Sequence, residues 1–327
     1  MIAALVLVLS AAFFLDKKMS LRGVIKEDYA EEDESGAEQS LIFDETEYIV
    51  KNNIETFLFL GTDYSGNEDA SGKDYEGSMA DFILLMIVDH TEDTYAFLPL
   101  DRNTIVDVPL ILEDGSGEAS AEEQLCTAHG YGGNKEMGCE NTVTAISDYL
   151  GGLTIDGYYS ISMSEISAIN HALGGVEVTL EDDFSDKDPT MTKGKTMTLN
   201  DEQAELFIHS RMNMKDDSNA RRMARQKAYM SAALKKVKSR LKEDPKAING
   251  IKDTFEEKST SNITGKQSSR IINAFVKCED LGIHEIKGKT KIGKTMKDGE
   301  EHEEFYPDED SLLETMTILY HLEEAKE

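Results

Sequence analysis

The sequence predicts an α/β fold in which a central mixed β-sheet is covered by helices on both faces. Fully apolar runs of strand length, at residues 57–60 and 82–88, are typical of strands that are buried on both sides. Segments with helical spacing of apolar residues are interleaved with these runs, as at 166–173 and 309–321. Because a strand buried on both sides needs a layer of helices on each face, the two patterns together indicate a three-layer domain.

The strands follow from apolar runs bounded by turn residues. They are predicted at 57–60, 82–88, 95–98, 104–108, 158–161, 176–180 and 283–287. Pro109 is expected to end the fourth strand, because proline has no N–H to donate to a neighbouring strand.

The helices follow from apolar residues spaced three or four apart. They are predicted at 143–150, 166–173, from Asn200 towards 211, 218–242, 265–279 and 309–321. Gly151 and Gly174 end the first two helices, and Asn200 or Asp201 caps the third.

The N-terminal residues suggest a domain that is tethered to a membrane. Residues 2–15 are apolar and uncharged, but this run is shorter than the roughly 20 residues that a full membrane span needs. A signal-peptide hydrophobic region and a core helix remain open. We favour a membrane anchor in residues 1–20 whose cytoplasmic start is missing, because no cleavage site is evident and Lys17, Lys18 and Arg22 follow at once.

Residues 21–50 are expected to be an acidic extracytoplasmic stalk, because they are rich in Glu, Asp, Ser and Gly and show little apolar periodicity. One catalytic-type domain is then expected at 51–325, in a chain of 327 residues with 39% hydrophobic residues, which is enough for a large core. This arrangement predicts a single-pass protein of the cell membrane with its main domain outside the cytoplasm.

The net charge excludes one class of partner. The chain has 64 acidic and 34 basic residues and a formal net charge of -30, which disfavours binding to nucleic acid.

One segment runs against this charge, because it gathers the arginines Arg211, Arg221, Arg222 and Arg225. Arg222, Arg225 and Gln226 have the spacing i, i+3, i+4, which places them on one face of a helix. Guanidinium groups bind phosphate or pyrophosphate in a bidentate manner. The alternative is a solvated charged helix face.

Four further residues are candidates for this anion site or for a metal site. His209 stands two residues before Arg211 and is a candidate for acid/base work, and Arg102 at the start of the fourth strand is a candidate for the anion site. Asp63 follows the first apolar strand and Asp81 precedes the second. If these strands are antiparallel neighbours, the two carboxylates meet and hold one Mg²⁺. The alternative is a pair of ordinary turn aspartates.

The cysteines suggest a location outside the cytoplasm. Cys126 and Cys139 lie in one polar, glycine-rich segment, and outside the cytoplasm such a pair is expected to form a disulfide. A zinc site is disfavoured because no CxxC motif or matching histidine spacing accompanies them. Cys278 lies in a predicted helix and is expected to be a buried free thiol.

An ordered set of short motifs resembles the LytR-CpsA-Psr family of cell-wall glycopolymer transferases, in particular its clostridial members. The order and spacing hold from about residue 53 to 235. The motifs are Leu58-Phe-Leu-Gly-Thr-Asp63, Asp81 before an apolar strand, Arg102-Asn-Thr104, Tyr131-Gly-Gly133, Leu173-Gly-Gly-Val-Glu-Val178, Leu199-Asn-Asp-Glu-Gln-Ala204, Arg211 and Arg222-Met-Ala-Arg-Gln226.

The resemblance implies a membrane-anchored phosphotransferase that moves a glycopolymer, with one phosphate, from polyprenyl pyrophosphate onto peptidoglycan. Asp63 and Asp81 match the carboxylates that hold Mg²⁺ or Mn²⁺ in the family. Arg102, Arg211, Arg222 and Gln226 match the pyrophosphate-binding set of the family. The expected catalytic residues are Asp63, Asp81, Arg102 and Arg211, and Arg225 and His209 are further candidates for substrate binding.

Three departures from the family pattern leave alternatives open. Met79 stands where the family has an arginine, Asn103 replaces an aspartate, and His209 replaces the first arginine of an Arg-x-Arg pair. A protonated His209 would restore one charge beside the phosphate. Two positive charges near the anion are therefore missing or depend on protonation. A noncatalytic or regulatory binder of polyprenyl phosphates or wall glycans remains an alternative, as does a lipid pyrophosphatase.

Overall fold

The computed structural model describes residues 39–63, 78–111, 118–210, 219–243 and 258–326. The predicted membrane anchor in residues 1–20 lies outside these ranges. None of the helices in the described ranges is long and apolar enough to span a membrane.

The strands are named here in chain order. They are β1 (Ser40–Phe43), β2 (Thr46–Val50), β3 (Ile54–Thr62), β4 (Ala80–Asp89), β5 (Thr94–Leu100), β6 (Ile105–Ile111), β7 (Glu118–Gln124), β8 (Gly157–Ser162), β9 (Val176–Thr179), β10 (Thr196–Leu199), β11 (Ser259–Ser261), β12 (Glu279–Ile283), β13 (Gly288–Gly293), β14 (His302–Pro307) and β15 (Leu322–Glu324).

The helices are named in the same way. They are α1 (Thr127–Gly130), α2 (Lys135–Tyr149), α3 (Ile166–Ala172), α4 (Asp201–His209), α5 (Asn219–Glu243), α6 (Gly265–Lys277) and α7 (Glu309–Tyr320), with a single 3₁₀ turn at Met163–Glu165 before α3. The predicted cap of α4 is confirmed, because Asn200 and Gln203 form a reciprocal capping box.

The central sheet is mixed, as predicted. Its strands lie in the order β11-β8-β3-β4-β5-β12. β4 pairs antiparallel with both β3 and β5, whereas β8 pairs parallel with β3 and β12 pairs parallel with β5. The parallel pairs need crossover connections, and helices supply them.

Both faces of the sheet are buried, and the alternation of side chains along each strand divides the core in two. Phe57 and Phe59 of β3 point into a cluster covered by α3, α4, α5 and α6. Leu58 and Leu60 point into a second cluster, to which α2 and α7 contribute. The prediction of helices on both faces is therefore confirmed.

The predicted stalk at 21–50 is wrong for its last part. β1 and β2 pair with each other, and the C-terminal β15 pairs with the other edge of β2. Leu41 is completely buried in the second cluster and Val50 is nearly so. The short apolar stretches around these two residues are covered in part by β15, which lies far away in the sequence. Local periodicity cannot show such a contact.

Two strand boundaries also differ from prediction. β6 continues through Pro109 to Ile111, and Pro109 faces Ser120 in a two-stranded hairpin with β7. A proline is tolerated there because such a hairpin has an outer edge that needs no N–H donor. The strand expected at 283–287 lies earlier, at β12, beside β5.

A cluster of charged residues joins the start of β3 to α6. Glu55 in β3 lies 2.7 Å from His90 Nε2 and 2.5 Å from Arg270 Nη1. Burial alone would raise the pKa of Glu55, but the hydrogen bond from His90 and the positive charge of Arg270 overcome this and hold it below its usual range. The carboxylate is therefore ionised and stabilises the packing of α6.

We expect Glu55→Gln to lower the free energy of unfolding by about 3 kcal/mol, because it leaves the Arg270 charge without its partner. Since the folded pKa of Glu55 is depressed, its contribution is present above the unfolded value of about 4.3 and is lost as the pH falls through the lower folded value. Urea unfolding at pH 7 and below pH 4 should therefore show a difference that shrinks in acid. Glu323→Gln removes an exposed partner of Lys51 and should change stability by less than about 0.5 kcal/mol.

Candidate active site

A β-bulge places the two candidate metal ligands at the same end of β3 and β4. The register passes from Gly61 opposite Phe82 to Thr62 opposite Ala80, so Asp81 has no partner on β3. A bulge of this kind re-aims a side chain. Asp63 directly follows β3, and its Oδ1 accepts a hydrogen bond from the backbone N–H of Met79 at 2.9 Å.

Two arginines converge on Asp81. Its Oδ1 lies 2.6 Å from Nη1 of Arg102, and its Oδ2 lies 3.6 Å from Nη1 of Arg222. The three side chains are only 11–13% exposed. Arg102 comes from the turn between β5 and β6, and Arg222 comes from the first turn of α5, so residues from three distant segments meet here. We call these residues, with Asp63, the acid–arginine centre.

The charges within this centre are coupled. Partial burial and the negative charge of Asp81 raise the pKa of Asp63, against the opposing effects of the Met79 N–H and of Arg102. A carboxylate whose pKa is raised by a neighbouring carboxylate is stabilised by a cation placed between the two. This is the electrostatic property expected of a metal-binding pair.

Asp81 Oδ1 and Arg102 Nε are buried polar atoms of the centre that have no hydrogen-bond partner among the described residues. The short contact between Asp81 Oδ1 and Arg102 Nη1 is an ion pair without hydrogen-bond geometry. A buried polar atom without a partner is costly unless a ligand satisfies it. The carboxylate oxygen suits a hard cation such as Mg²⁺, and the guanidinium N–H suits an anion.

The described residues offer no group of three or more His, Cys, Asp or Glu side chains that could hold a metal ion. A divalent cation would therefore be held by Asp63 and Asp81, with the rest of its coordination from water or phosphate oxygens. Mg²⁺ is commonly bound in this way.

The predicted disulfide is wrong, because Cys126 and Cys139 are both free and buried. The Sγ atom of Cys126 accepts a hydrogen bond from Arg102 Nη2 at 3.0 Å, whereas Sγ of Cys139 lies 3.8 Å from His129 Nε2. Each sulfur is thus engaged by a different partner. Burial raises the pKa of Cys139 to about 12, so it is a neutral thiol. Cys278 is also free, but it is half-buried and follows the last residue of α6.

Cys126 is a contact of the centre that sequence analysis missed. The hairpin of β6 and β7 returns the chain to its starting point, so the N–H of Cys126 donates to the carbonyl of Arg102 at 3.0 Å. The same Arg102 Nη2 also lies 3.4 Å from Sδ of Met79. Only the hairpin pairing could have signalled that residues 102 and 126 are neighbours.

Arg225 does not have the substrate-binding position predicted for it. It is buried, and its guanidinium group donates to Asp182 Oδ2 at 2.8 Å, to the carbonyl of Phe207 at 3.0 Å and to the carbonyl of Ser210 at 2.6 Å. These three acceptors occupy all three of its nitrogen atoms. Arg225 therefore locks α5 to the end of α4 and to Asp182, although Arg222 on the same helix reaches Asp81. A cavity of 510 Å³ beside this lock mixes apolar residues with Asp182 and Arg221.

The remaining predicted residues are placed as follows. Gln226 is buried on α5. His209 is exposed at the end of α4, and its Nε2 donates to the carbonyl of Met163 at 3.0 Å, just after β8. This bond holds His209 at the edge of the sheet where β3 and β8 end. Arg211 lies outside the described residues.

The fold and this centre together define a class: an α/β protein with a central mixed sheet that holds two carboxylates and two arginines where β3 and β4 meet the first turn of α5. The sequence model of the LytR_cpsA_psr family matches residues 19–319, and the chain belongs to this family. The family resemblance seen in the short motifs is thereby confirmed.

Two curated relatives are similar to this chain. It is 29% identical over 191 residues to the Enterococcus faecalis (strain ATCC 700802 / V583) protein named polyisoprenyl-teichoic acid–peptidoglycan teichoic acid transferase TagU, covering 58% of this chain and 56% of that protein. It is 27% identical over 211 residues to biofilm regulatory protein A of Streptococcus mutans serotype c (strain ATCC 700610 / UA159), covering 62% of this chain and 47% of that protein. The chain spans about half the length of these relatives.

Solved structures share the fold. TagT bound to LIIa-WTA is 21% identical, with a TM-score of 0.58 and coverage of 83% of this chain and 91% of that chain. TagV of B. subtilis is 20% identical, with a TM-score of 0.58 and coverage of 83% and 97%. The protein gbs0355 of Streptococcus agalactiae is 17% identical, with a TM-score of 0.64 and coverage of 84% and 90%.

Arg225 and Arg221 offer a matched pair of substitutions that tests whether the buried contacts of Arg225 hold α5 in place. We expect Arg225→Ala to lower the free energy of unfolding by about 3–5 kcal/mol, because it leaves Asp182 buried without its closest cation. Arg221 is more exposed and lies farther from Asp182, at 3.4 Å, so Arg221→Ala should cost less than about 0.5 kcal/mol. Urea unfolding measures both, and equal losses would show that Arg225 is not the residue that holds α5.

Proposed function

We propose that this protein transfers a glycopolymer, together with one phosphate, from a polyprenyl pyrophosphate carrier to peptidoglycan. The observation that carries the proposal is the convergence of Arg102 and Arg222 on Asp81 beside Asp63. Membership of the LytR_cpsA_psr family and the name of the similar E. faecalis transferase support the same substrates.

The two arginines would bind the pyrophosphate. The side chains of Arg102 and Arg222 are mostly buried, and the guanidinium groups of both contact the carboxylate of Asp81. A pyrophosphate carries more charge and more acceptor atoms than one carboxylate, so it can take up the N–H donors that Asp81 does not satisfy, including the buried Nε of Arg102. Positive groups placed around a transferring phosphoryl group stabilise the charge of its transition state.

The reaction balances as a displacement at phosphorus. A hydroxyl oxygen of the peptidoglycan forms a bond to the phosphorus atom next to the glycopolymer. The bond between that phosphorus and the bridging oxygen breaks, and polyprenyl phosphate leaves with the electron pair. The hydroxyl proton is lost to solvent.

We propose that Asp63 and Asp81 hold one Mg²⁺ or Mn²⁺ during this reaction. The support is the pairing of two carboxylates at one end of the sheet and the unsatisfied Oδ1 of Asp81. Such an ion, when bound, neutralises charge on the phosphate oxygens. The role of the protein is to fix the two carboxylates, one by the Met79 N–H and the other by the bulge and the arginines.

The proposed substrates belong to the cell envelope. We therefore propose that the main domain is extracytoplasmic and is attached to the cell membrane through residues 1–20. The support is the apolar character of residues 2–15. The disulfide no longer contributes to this argument.

We expect Arg222→Ala to lose polyprenyl-pyrophosphate binding and to lower the transfer rate on the order of 100-fold, because it removes one of two positive groups from the phosphate. Arg221→Ala, on the adjacent residue but paired with Asp182, should leave both nearly unchanged. Transfer of a lipid-linked glycopolymer to peptidoglycan is measured together with lipid binding. Binding without transfer by the unaltered protein would favour a noncatalytic binder, and release of free glycopolymer phosphate into water would favour a lipid pyrophosphatase.

The proposed metal site is tested by titration with Mn²⁺, and electron paramagnetic resonance is used to monitor binding. We expect Asp63→Asn and Asp81→Asn each to weaken Mn²⁺ binding by at least about tenfold, because a neutral amide oxygen replaces a carboxylate ligand. Asp183→Asn, at an exposed aspartate away from the centre, is the control and should bind Mn²⁺ as the unaltered protein does. Equal binding by all three variants would exclude this pair as the metal site.

A further inference from the structure

A polar cleft of 240 Å³ lies beside the acid–arginine centre, where β3, β8 and β11 end or begin. Its distinguishing feature is the number of hydroxyl groups on its walls. They belong to Thr62, Ser78, Ser160, Ser162, Ser164 and Thr260. We call this feature the hydroxyl cleft.

The hydroxyl cleft adjoins the proposed metal ligands along the chain, although none of its lining residues belongs to the acid–arginine centre. Thr62 is the residue before Asp63, and Ser78 is the residue before Met79, which hydrogen-bonds to Asp63. Thr62 also lies opposite Ser162 in the parallel pairing of β3 and β8. A molecule in the cleft would therefore lie near the end of β3, next to the place where the phosphorus atom of the donor is expected.

The floor of the cleft is rigid and uncharged. His129 is buried, and its Nδ1–H donates to the carbonyl of Ser78 at 2.9 Å and lies 3.2 Å from the Ser78 hydroxyl. Burial lowers the pKa of His129, so the ring is neutral near pH 7. Its Nε2 faces the thiol of Cys139 at 3.8 Å. These contacts fix Ser78 at the floor of the cleft without adding a charge.

The chemistry of the walls favours a neutral polyhydroxyl ligand over a phosphate. Serine and threonine hydroxyls each donate one hydrogen bond and accept others, which suits ligands that also do both. Phosphate sites rely on arginine forks, and none of the described residues that line the cleft is an arginine. Two lysines also line the cleft. Lys258 is paired with Glu165 at 2.7 Å, which offsets its charge, and Lys135 adds a single positive charge without the fork geometry of an arginine.

We propose that the hydroxyl cleft binds one sugar residue of the acceptor glycan and holds its hydroxyl next to the donor phosphate. The inference rests on the proposed function for its acceptor. The volume is below the roughly 300–1,000 Å³ of pockets for drug-sized ligands, which limits the occupant to about one ring. Positioning of this kind lowers the barrier of a two-substrate reaction.

The test uses the full-length protein and two matched pairs of variants. Ser164→Leu places a branched apolar side chain in the cleft, and Ser231→Leu makes the same change on the exposed face of α5. Thr260→Val removes a cleft hydroxyl with little change of shape, and Thr290→Val does so on the exposed strand β13. Thr260→Val keeps the test decisive if Ser164→Leu fails to fold.

The binding probe is a β-1,4-linked tetramer of N-acetylglucosamine, titrated calorimetrically. We expect Ser164→Leu to weaken binding by about tenfold or more and Thr260→Val by severalfold, while Ser231→Leu and Thr290→Val bind as the unaltered protein does. Mg²⁺–pyrophosphate is titrated in parallel and should bind equally to all five proteins. No saturable binding of the tetramer, or equal binding by all variants, would overturn the proposal.

The transfer assay identifies the source of the sugar. A raised KM for the acceptor glycan in Ser164→Leu, with the KM for the lipid-linked donor unchanged, supports the acceptor assignment. A raised KM for the donor alone would overturn it and assign the cleft to the sugar of the donor. If the unaltered protein transfers nothing, the proposed function fails, but the titration with the tetramer still decides whether the cleft is a saccharide site.

Discussion

The buried carboxylate of Asp81 between two guanidinium groups is the interaction on which the rest of the site depends. Arg102 and Arg222 would repel each other in a partly buried site if no anion lay between them. Asp81 supplies that anion, but burying three charged groups also has a large desolvation cost. The surrounding structure offsets it by fixing each partner: the bulge directs Asp81, the β6–β7 hairpin holds Arg102, and α5 carries Arg222.

Arg225 shows how this geometry is maintained. It lies one helical turn after Arg222, and it anchors the first turns of α5 to the end of α4 and to Asp182. The position of Arg222 therefore depends on a buried contact that lies outside the acid–arginine centre. Two arginines of the same short motif thus have different contacts: Arg222 pairs with Asp81, whereas Arg225 holds α5 in place.

The sequence alone predicts the central strands of the sheet, because β3 and β4 are buried on both faces and therefore consist of continuous apolar runs. It also predicts that Asp63 and Asp81 lie at the same end of two neighbouring strands if these are antiparallel, and β3 and β4 are antiparallel neighbours. The bulge at Asp81, the contact of Arg102 with Cys126 and the diversion of Arg225 to Asp182 could not be predicted. Each depends on which partner is available after the chain has packed, and a residue type in a sequence does not contain that information. The same reason explains why the sequence predicts a stalk where β1 and β2 form.

The small sheet formed by β1, β2 and β15 brings the beginning and the end of the described chain together. Synthesis proceeds from the N-terminus, so among the described strands β2 has only β1 as its neighbour until β15 has been made. Pairing between segments so distant in sequence forms slowly, because a very long loop must close first. Completion of the domain therefore waits for β15.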